Sequence, residues 1–338
     1  MTAADIKETH TLLSVPKKIV IIPHKNPDGD AMGSTLALCT YLNKKGHSAT
    51  VVAPNEYPHF LKWLPGDEAT VIYSKEEDKA KQLIKDAEVI FTLDFNHFSR
   101  TGHLEPLLKE ATANFVMIDH HQQPGDYALV TYSDTSMSST CEMVYHFIDA
   151  LNDTDLIDAD MASCLYTGIM TDTGSFRFKS TTAKTHKVIA GLIEKGADNT
   201  AIHEKIYDTN SYTKLQLLGV ALKNLRVLPE YRTAYITMTQ KELDDHSFQK
   251  GDTEGFVNYG LSLDGIIFAI IFIENKADGI IKMSLRSKGD FSVNDVARTH
   301  YEGGGHINAA GGKSDLNMED TIAQFISILP DYKAMLSI

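Results

Sequence analysis

Short apolar runs punctuate the first half of the chain, each followed by a polar turn. Ile19 to Ile22, Ser48 to Ala53, Val89 to Asp94, Asn114 to Asp119 and Tyr127 to Tyr132 are rich in β-branched and aromatic residues and read as strands. Between the first two, Ala31 to Lys45 places apolar residues at helical spacing and stops at Gly46, a good C-terminal cap. Strand and helix signals keep alternating, which predicts a parallel sheet with helices on its faces. Residues 1 to 17 read as a short helical lead-in, and Ser139 to Leu151 and Asp158 to Met170 as helices, with Asp172 at a helix end.

Helix formers dominate Thr182 to Arg226, broken at Gly196 and at Asp208-Thr209-Asn210. A second α/β unit follows, with strands expected at Tyr231 to Met238, Ile266 to Ile273 and Ile280 to Leu285 and a helix near Val293 to Thr299. It ends in the glycine cluster Gly303 to Gly312. Glycines ahead of a helix start let the backbone approach a ligand and expose amides that favour anions; a tight loop is the other reading. The predicted organisation is a larger α/β domain over 18–180, connecting helices over 181–227 and a smaller α/β domain over 228–338.

Composition sharpens this in three ways. A chain of 338 residues that is 43% hydrophobic can bury a sizeable core, and two domains are the default at that length. Forty-five acidic residues against 32 basic ones leave a formal charge of -13, which argues against a coat for long nucleic acid or an anionic membrane while leaving local anion binding open. Cys39, Cys141 and Cys164 form no Cys-x-x-Cys pair and read as small core residues in a reducing compartment. The N-terminus lacks the pattern of a signal peptide, and no run approaches the ~20 apolar residues that span a membrane, so the expected location is cytoplasmic.

Candidate chemistry starts behind the first strand, where His24, Asp28 and Asp30 leave together in one loop. Two carboxylates in an Asp-x-Asp pair repel unless a cation lies between them. An Asp-Gly turn with a capping aspartate explains the same residues. Further along, Asp94, the triplet Asp119-His120-His121 and Asp172 also stand at the ends of apolar runs. Strand ends of an open α/β sheet converge on one crevice.

The set His24-x-x-x-Asp28-x-Asp30, Asp94, Asp119-His120-His121 and Asp172 resembles, in order and spacing, the motifs of the DHH phosphoesterase family. Ser284-Leu285-Arg286-Ser287 and Gly303-Gly304-Gly305-His306 resemble its associated C-terminal domain, so the likeness covers nearly the whole chain. The resemblance implies an active site in the cleft between two domains. His24 and Asp28 would bind one divalent ion, Asp30, His120 and Asp172 another, and Asp94 would bridge them. Asp119 would orient its neighbouring imidazole, as metal-bound histidines usually require. Oxygen and imidazole donors suit Mn²⁺ or Mg²⁺, or Fe²⁺, and without thiolates they disfavour structural zinc. Four carboxylates are balanced by two divalent cations, whereas one would leave the cage repelling a phosphate.

A neutral filled cage leaves the substrate's own charge to other groups. His121 and Arg100 on the first domain, and Arg286 with Gly303, Gly304, Gly305 and His306 on the second, are the expected partners. For Arg100 a solvated surface arginine is an equal reading. His97 and His103 read as loop histidines, and the lone Trp63 as packing under a loop rather than stacking on a base. The segment from Gly168 through Asp172 to Phe178 resembles the branch that cleaves very short RNA and dephosphorylates 3'-phosphoadenosine 5'-phosphate. The length leaves no room for a barrel that would hold a long strand.

The expected function is therefore a dinuclear-metal phosphodiesterase and phosphatase that releases nucleoside 5'-monophosphates from short RNA or DNA oligonucleotides and acts on nucleotide phosphates. Hydrolysis of a cyclic or linear dinucleotide is the runner-up, exopolyphosphatase or pyrophosphatase activity comes third, and a nucleotide-binding sensor is the non-enzyme alternative. A homodimer is admitted by these expectations, a membrane partner is not.

Overall fold

The computed structural model describes residues 1–336; Ser337 and Ile338, at the end of the expected 228–338 domain, lie outside the described residues. The chain forms two compact units, Met1–Thr209 and Asn210–Ile338. No helix among the described residues is long and apolar enough to cross a membrane.

The first unit opens with helix α1 (Ala3–Leu12) and contains strands β1 (Lys18–Ile22), β2 (Ser48–Ala53), β3 (Val71–Ile72), β4 (Val89–Leu93), β5 (Asn114–Asp119) and β6 (Val130–Ser133). They form one sheet in the order β3-β2-β1-β4-β5-β6, parallel throughout. Helices α2 (Gly29–Lys44), α3 (Glu77–Asp86), α4 (Glu105–Glu110), α5 (Thr140–Ala150), α6 (Ala159–Asp172), α7 (Ala183–Glu194) and α8 (Asn199–Tyr207) surround it. Strand order reverses beside β1: the chain steps outward to β2 and β3, then returns to β4 on the other side. The carboxyl ends of β1 and β4 therefore border the crevice that such a reversal opens.

Both faces of this sheet are covered, which is why its central strands read as nearly continuous apolar runs. Ile19, Ile21, Phe91 and Ile118 enter one core with Met32 and Leu36 of α2 and residues of α5 and α6. Val20, Ile22, Ile90 and Phe115 enter the other with Ala80 and Ile84 of α3 and Leu108 of α4. Ile19 to Ile22 are each 2% exposed or less. At roughly 1.5–3 kcal/mol per buried side chain, they anchor β1 strongly enough to fix the loop behind it.

Of the boundaries that differ from expectation, two have a clear local cause. Helix α2 begins at Gly29 rather than Ala31, because the Asp28 carboxylate accepts from the Asp30 and Ala31 amides, both at 3.1 Å, and caps the helix earlier. Strand β6 begins at Val130 rather than Tyr127. The Tyr127 ring stacks 4.1 Å from that of Phe98 and its hydroxyl bonds Thr92 at 2.9 Å, so its aromatic signal reports core packing.

The second unit carries α9 (Tyr212–Asn224), β7 (Arg226–Leu228), β8 (Thr233–Met238), α10 (Gln240–Asp245), α11 (Phe256–Leu261), β9 (Phe268–Asn275), β10 (Ile280–Ser287), α12 (Val293–His300), β11 (Gly304–His306), β12 (Ala309–Ser314) and α13 (Met318–Leu336). Its sheet runs β11-β12-β10-β9-β8-β7 and is mixed, with β8 parallel to β9 and the other neighbours antiparallel. Alternate residues of β9 serve two cores, Phe268, Ile270 and Phe272 on one face and Ala269 and Ile271 on the other.

The glycine cluster does not lead into a helix. It builds the β11–β12 hairpin, in which a Cβ on Gly303 would lie 2.0 Å from the Gly311 carbonyl oxygen. Close backbone approach within a hairpin and entry to a ligand-binding helix demand the same residue, and here the hairpin explains it.

Candidate metal centre

Three successive carboxyl ends of the parallel sheet deliver the acidic and imidazole groups. Beyond β1, Pro23 ends the strand and His24 turns inward, followed by Asp28 at the cap of α2 and Asp30 in its first turn. Beyond β4, Asp94 adopts φ +64°, a conformation uncommon outside glycine that aspartate takes more readily than most residues, and its amide donates to the Ile118 carbonyl at 3.1 Å. Strand β5 ends on Asp119, and His120 and His121 follow. Asp172 is the last residue of α6, which runs close against α2. A Cβ on Gly168 would come within 2.1 Å of Cys141 Sγ and 2.9 Å of Asp30 Oδ1, so that approach requires glycine.

These groups form two adjoining clusters that share one carboxylate. Donor atoms of His24, Asp28 and Asp94 lie within 4.8 Å of one another, as do those of Asp30, His120 and Asp172. His24 Nε2 is 3.7 Å from Asp28 Oδ2 and 3.3 Å from Asp94 Oδ2. His120 Nε2 is 3.4 Å from the other oxygen, Asp94 Oδ1, 3.5 Å from Asp172 Oδ2 and 3.7 Å from Asp30 Oδ2. Asp94 thus turns one oxygen toward each cluster. The Asp28 and Asp172 side chains are 51% and 26% exposed while those of Asp30 and Asp94 are 1% and 3%, so the cage has a closed floor and an open rim.

Hydrogen bonds behind the cage set its orientation. His24 Nδ1 meets the Lys25 carbonyl at 2.8 Å; a carbonyl only accepts, so Nδ1 carries the proton and Nε2 faces the carboxylates. Asp119 pairs with His121, Oδ1 accepting from Nδ1 at 2.7 Å, whereas His120 turns its Nδ1 to the Met137 carbonyl at 3.3 Å. The imidazole that Asp119 orients is therefore that of His121. Residues two apart on an extended segment share a side, and 119 and 121 are so related.

Burial raises the Asp30 carboxyl well above the usual range, and the neighbouring charges of Asp94 and Asp172 raise it further. Burial likewise pushes Asp172 up to about 6, with Asp94 and Asp28 adding to it. Burial opposes charge on His24 and His120 too, yet the facing carboxylates prevail and hold both imidazoles above their ordinary value, His24 at about 10. Four crowded carboxylates facing two imidazoles concentrate negative charge in one place, and that arrangement suits divalent cations. The donors are oxygen and imidazole nitrogen, with no thiolate among them, and fit hard divalent cations.

The remaining expected residues are placed as follows. Arg100 is exposed, and its carbonyl accepts from the Lys25 amide at 2.7 Å, tying its loop to the one that carries His24. His97 is exposed and caps its own turn by accepting from the Ser99 amide at 3.2 Å. Trp63 packs against the main core, with Lys205 Nζ 4.4 Å from its ring centroid. Cys141 and Cys164 are buried and Cys39 half-buried, all unpaired. On the second unit, Arg286 lies on β10 opposite Ala269 and Ala309, and Gly304, Gly305 and His306 form β11, with Gly303 just before it.

Thr140 is the residue sequence reasoning missed. Its hydroxyl donates to Asp94 Oδ1 at 3.0 Å, and its amide and that of Cys141 donate to the two Asp30 oxygens at 2.6 and 2.8 Å. A threonine at a helix start reads as ordinary capping, so only Ser138-Ser139-Thr140 as a cluster of hydroxyls gave a signal.

Residues 18–169 match the DHH family, N-terminal domain, and residues 233–332 match the DHHA1 domain. The bifunctional oligoribonuclease and PAP phosphatase NrnA of Thermus thermophilus is 30% identical over 89% of this chain and 85% of its own. The probable bifunctional oligoribonuclease and PAP phosphatase NrnA of Streptococcus mutans is 28% identical over 88% of this chain and 89% of its own. Among solved structures, an exopolyphosphatase-related protein from Bacteroides fragilis is 37% identical with a TM-score of 0.96, over 100% of this chain and 98% of that one. With its motifs gathered at the sheet's carboxyl edge and its similarity running through both halves, the chain belongs to the DHH family of phosphoester hydrolases.

Proposed function

We propose that this protein hydrolyses short oligoribonucleotides to nucleoside 5'-monophosphates and converts 3'-phosphoadenosine 5'-phosphate to AMP, using two divalent cations, Mn²⁺ in preference to Mg²⁺. The observation that carries the reading is Asp94, whose two oxygens face two separate histidine-carboxylate clusters. Similarity to the two NrnA proteins supports the choice of substrate.

His24, Asp28 and Asp94 would hold one ion and Asp94, Asp30, His120 and Asp172 the other. The ions would supply Lewis-acid polarisation of a phosphoryl oxygen and a water activated near neutral pH. The chain's own groups do the rest. The buried floor of Asp30 and Asp94 fixes the cage, and the exposed rim at Asp28 and Asp172 admits the phosphate. His121, whose Nδ1 donates to Asp119, is the proposed catalytic imidazole at the phosphoryl or leaving oxygen. Arg100 is the proposed guanidinium partner for substrate phosphate on this unit. On the second unit, Arg286, Gly303, Gly304, Gly305 and His306 are proposed substrate contacts.

The test is Mn²⁺-dependent hydrolysis of an RNA dinucleotide, a 20-nucleotide RNA, 3'-phosphoadenosine 5'-phosphate, a cyclic dinucleotide and pyrophosphate. The reading expects rapid turnover of the dinucleotide and of 3'-phosphoadenosine 5'-phosphate, with the long RNA largely spared. Preference for the cyclic dinucleotide or for pyrophosphate would overturn the substrate assignment.

A further inference from the structure

Directly behind the cage lies a second buried polar cluster that the proposed chemistry does not use. Ser138, Ser139, Thr140, Glu142 and Thr185 are all 2% exposed or less. The Glu142 carboxylate, in the first turn of α5, accepts from the Ser138 hydroxyl, from the Ser138 amide at 3.3 Å and from the Thr185 hydroxyl at 3.0 Å, and lies 3.7 Å from His146 Nε2. Ser139 caps the same turn by accepting from the Glu142 amide at 3.1 Å.

Capping accounts for Ser139. It does not account for a buried carboxylate that ties the residue before the cap to a different helix, α7. A group of that kind is costly to bury unless fully bonded, and it rigidifies whatever it holds. What it holds is the turn from Ser138 to Cys141, and that turn gives three hydrogen bonds to two cage carboxylates: Thr140 Oγ1 to Asp94 at 3.0 Å, and the Thr140 and Cys141 amides to Asp30 at 2.6 and 2.8 Å.

We propose that Thr140, braced by Glu142, is a positioning residue of the metal centre: its hydroxyl sets the rotation of the Asp94 carboxylate so that each oxygen faces one cluster. The inference rests on the reading that Asp94 and Asp30 hold ions. A carboxylate turns about its last bond easily, and only one rotation serves both sites. One lone pair of Oδ1 is taken by the threonine hydroxyl, which leaves the other directed at the His120 side. Outer partners of this kind change metal affinity about 10–100-fold when removed.

The experiment titrates Mn²⁺ into metal-stripped wild-type, Thr140→Val and Thr140→Ser proteins by calorimetry, and records the electron paramagnetic resonance of the loaded forms. Valine keeps the branched shape and loses the hydroxyl; serine keeps the hydroxyl. The proposal expects Thr140→Val to weaken at least one site about 10-fold or more and to lose the spin-coupled signal of a paired centre, with Thr140→Ser close to wild type in both. Glu142→Gln should weaken binding in the same direction; should it fail to fold, the two Thr140 variants still decide. Wild-type affinity and coupling in Thr140→Val would overturn the proposal. If wild-type protein itself binds no Mn²⁺, the metal-centre reading fails and the positioning role falls with it.

Discussion

Asp119 Oδ1 accepts a 2.7 Å hydrogen bond from His121 Nδ1, and its second oxygen, also buried, has no hydrogen-bond partner among the described residues. A fully buried carboxylate engaged through one oxygen serves mainly to hold the imidazole beside it. Asp119→Asn should therefore lower kcat about 100-fold, within the usual range for general acid–base groups, while Mn²⁺ binding changes little. Loss of bound metal in that variant would instead make Asp119 a ligand.

Metal uptake should depend on pH in a definite direction. Burial would lower the His24 pKa, but Asp28 and Asp94 raise it from the ordinary 6.5 to about 10, so in metal-free protein a proton occupies the nitrogen an ion needs. Apparent Mn²⁺ affinity should rise about tenfold per pH unit for each proton expelled, up to the region of that pKa. The same shift stabilises the metal-free fold fully below 6.5, and that contribution disappears as pH rises through about 10. Calorimetry in two buffers of different ionisation enthalpy counts the protons; none released near neutral pH would contradict the assignment.

Gly168→Ala tests the close passage of α6 over the cage. The added methyl would stand 2.1 Å from Cys141 Sγ and 2.9 Å from Asp30 Oδ1, both buried. Overpacking of this kind costs about 1–3 kcal/mol, and because Asp30 must move, metal affinity should fall with the melting temperature. An alanine variant with unchanged Tm and metal binding would show that the helices separate freely.

Arg286→Ala should raise KM about tenfold, the worth of one charge-assisted contact, with little change in kcat, since a contact made equally to substrate and transition state acts on binding alone. A lower kcat at unchanged KM would move Arg286 into transition-state stabilisation.

Much of the first unit could be read from the chain because its central strands are buried on both faces: Ile19 to Ile22 is an unbroken apolar run and Val89 to Leu93 is interrupted only by Thr92. The six proposed ligands were legible for a related reason. Charged groups directly after such runs are costly there without a partner, so their presence carries information. What stayed hidden depends on register and on side-chain direction. Thr140 and Glu142 carry the signature of a helix cap, and their bonds to Asp94 and to Thr185 cross long stretches of sequence. Sequence alone does not separate the two readings of Gly303, because a hairpin that brings backbone to backbone and a helix entry that admits an anion ask for the same residue. The pairing of Asp119 with His121 rather than His120 follows from the side each residue takes beyond β5, which composition does not show.

The most direct measurement is the number of Mn²⁺ ions bound per chain in wild-type and Asp94→Ala proteins, with turnover of an RNA dinucleotide measured on the same samples. The shared carboxylate predicts two ions in the wild type, fewer than two in the variant, and activity lower by orders of magnitude. One ion in the wild type, or two ions and near-normal turnover in Asp94→Ala, would contradict the shared-carboxylate centre on which the account depends.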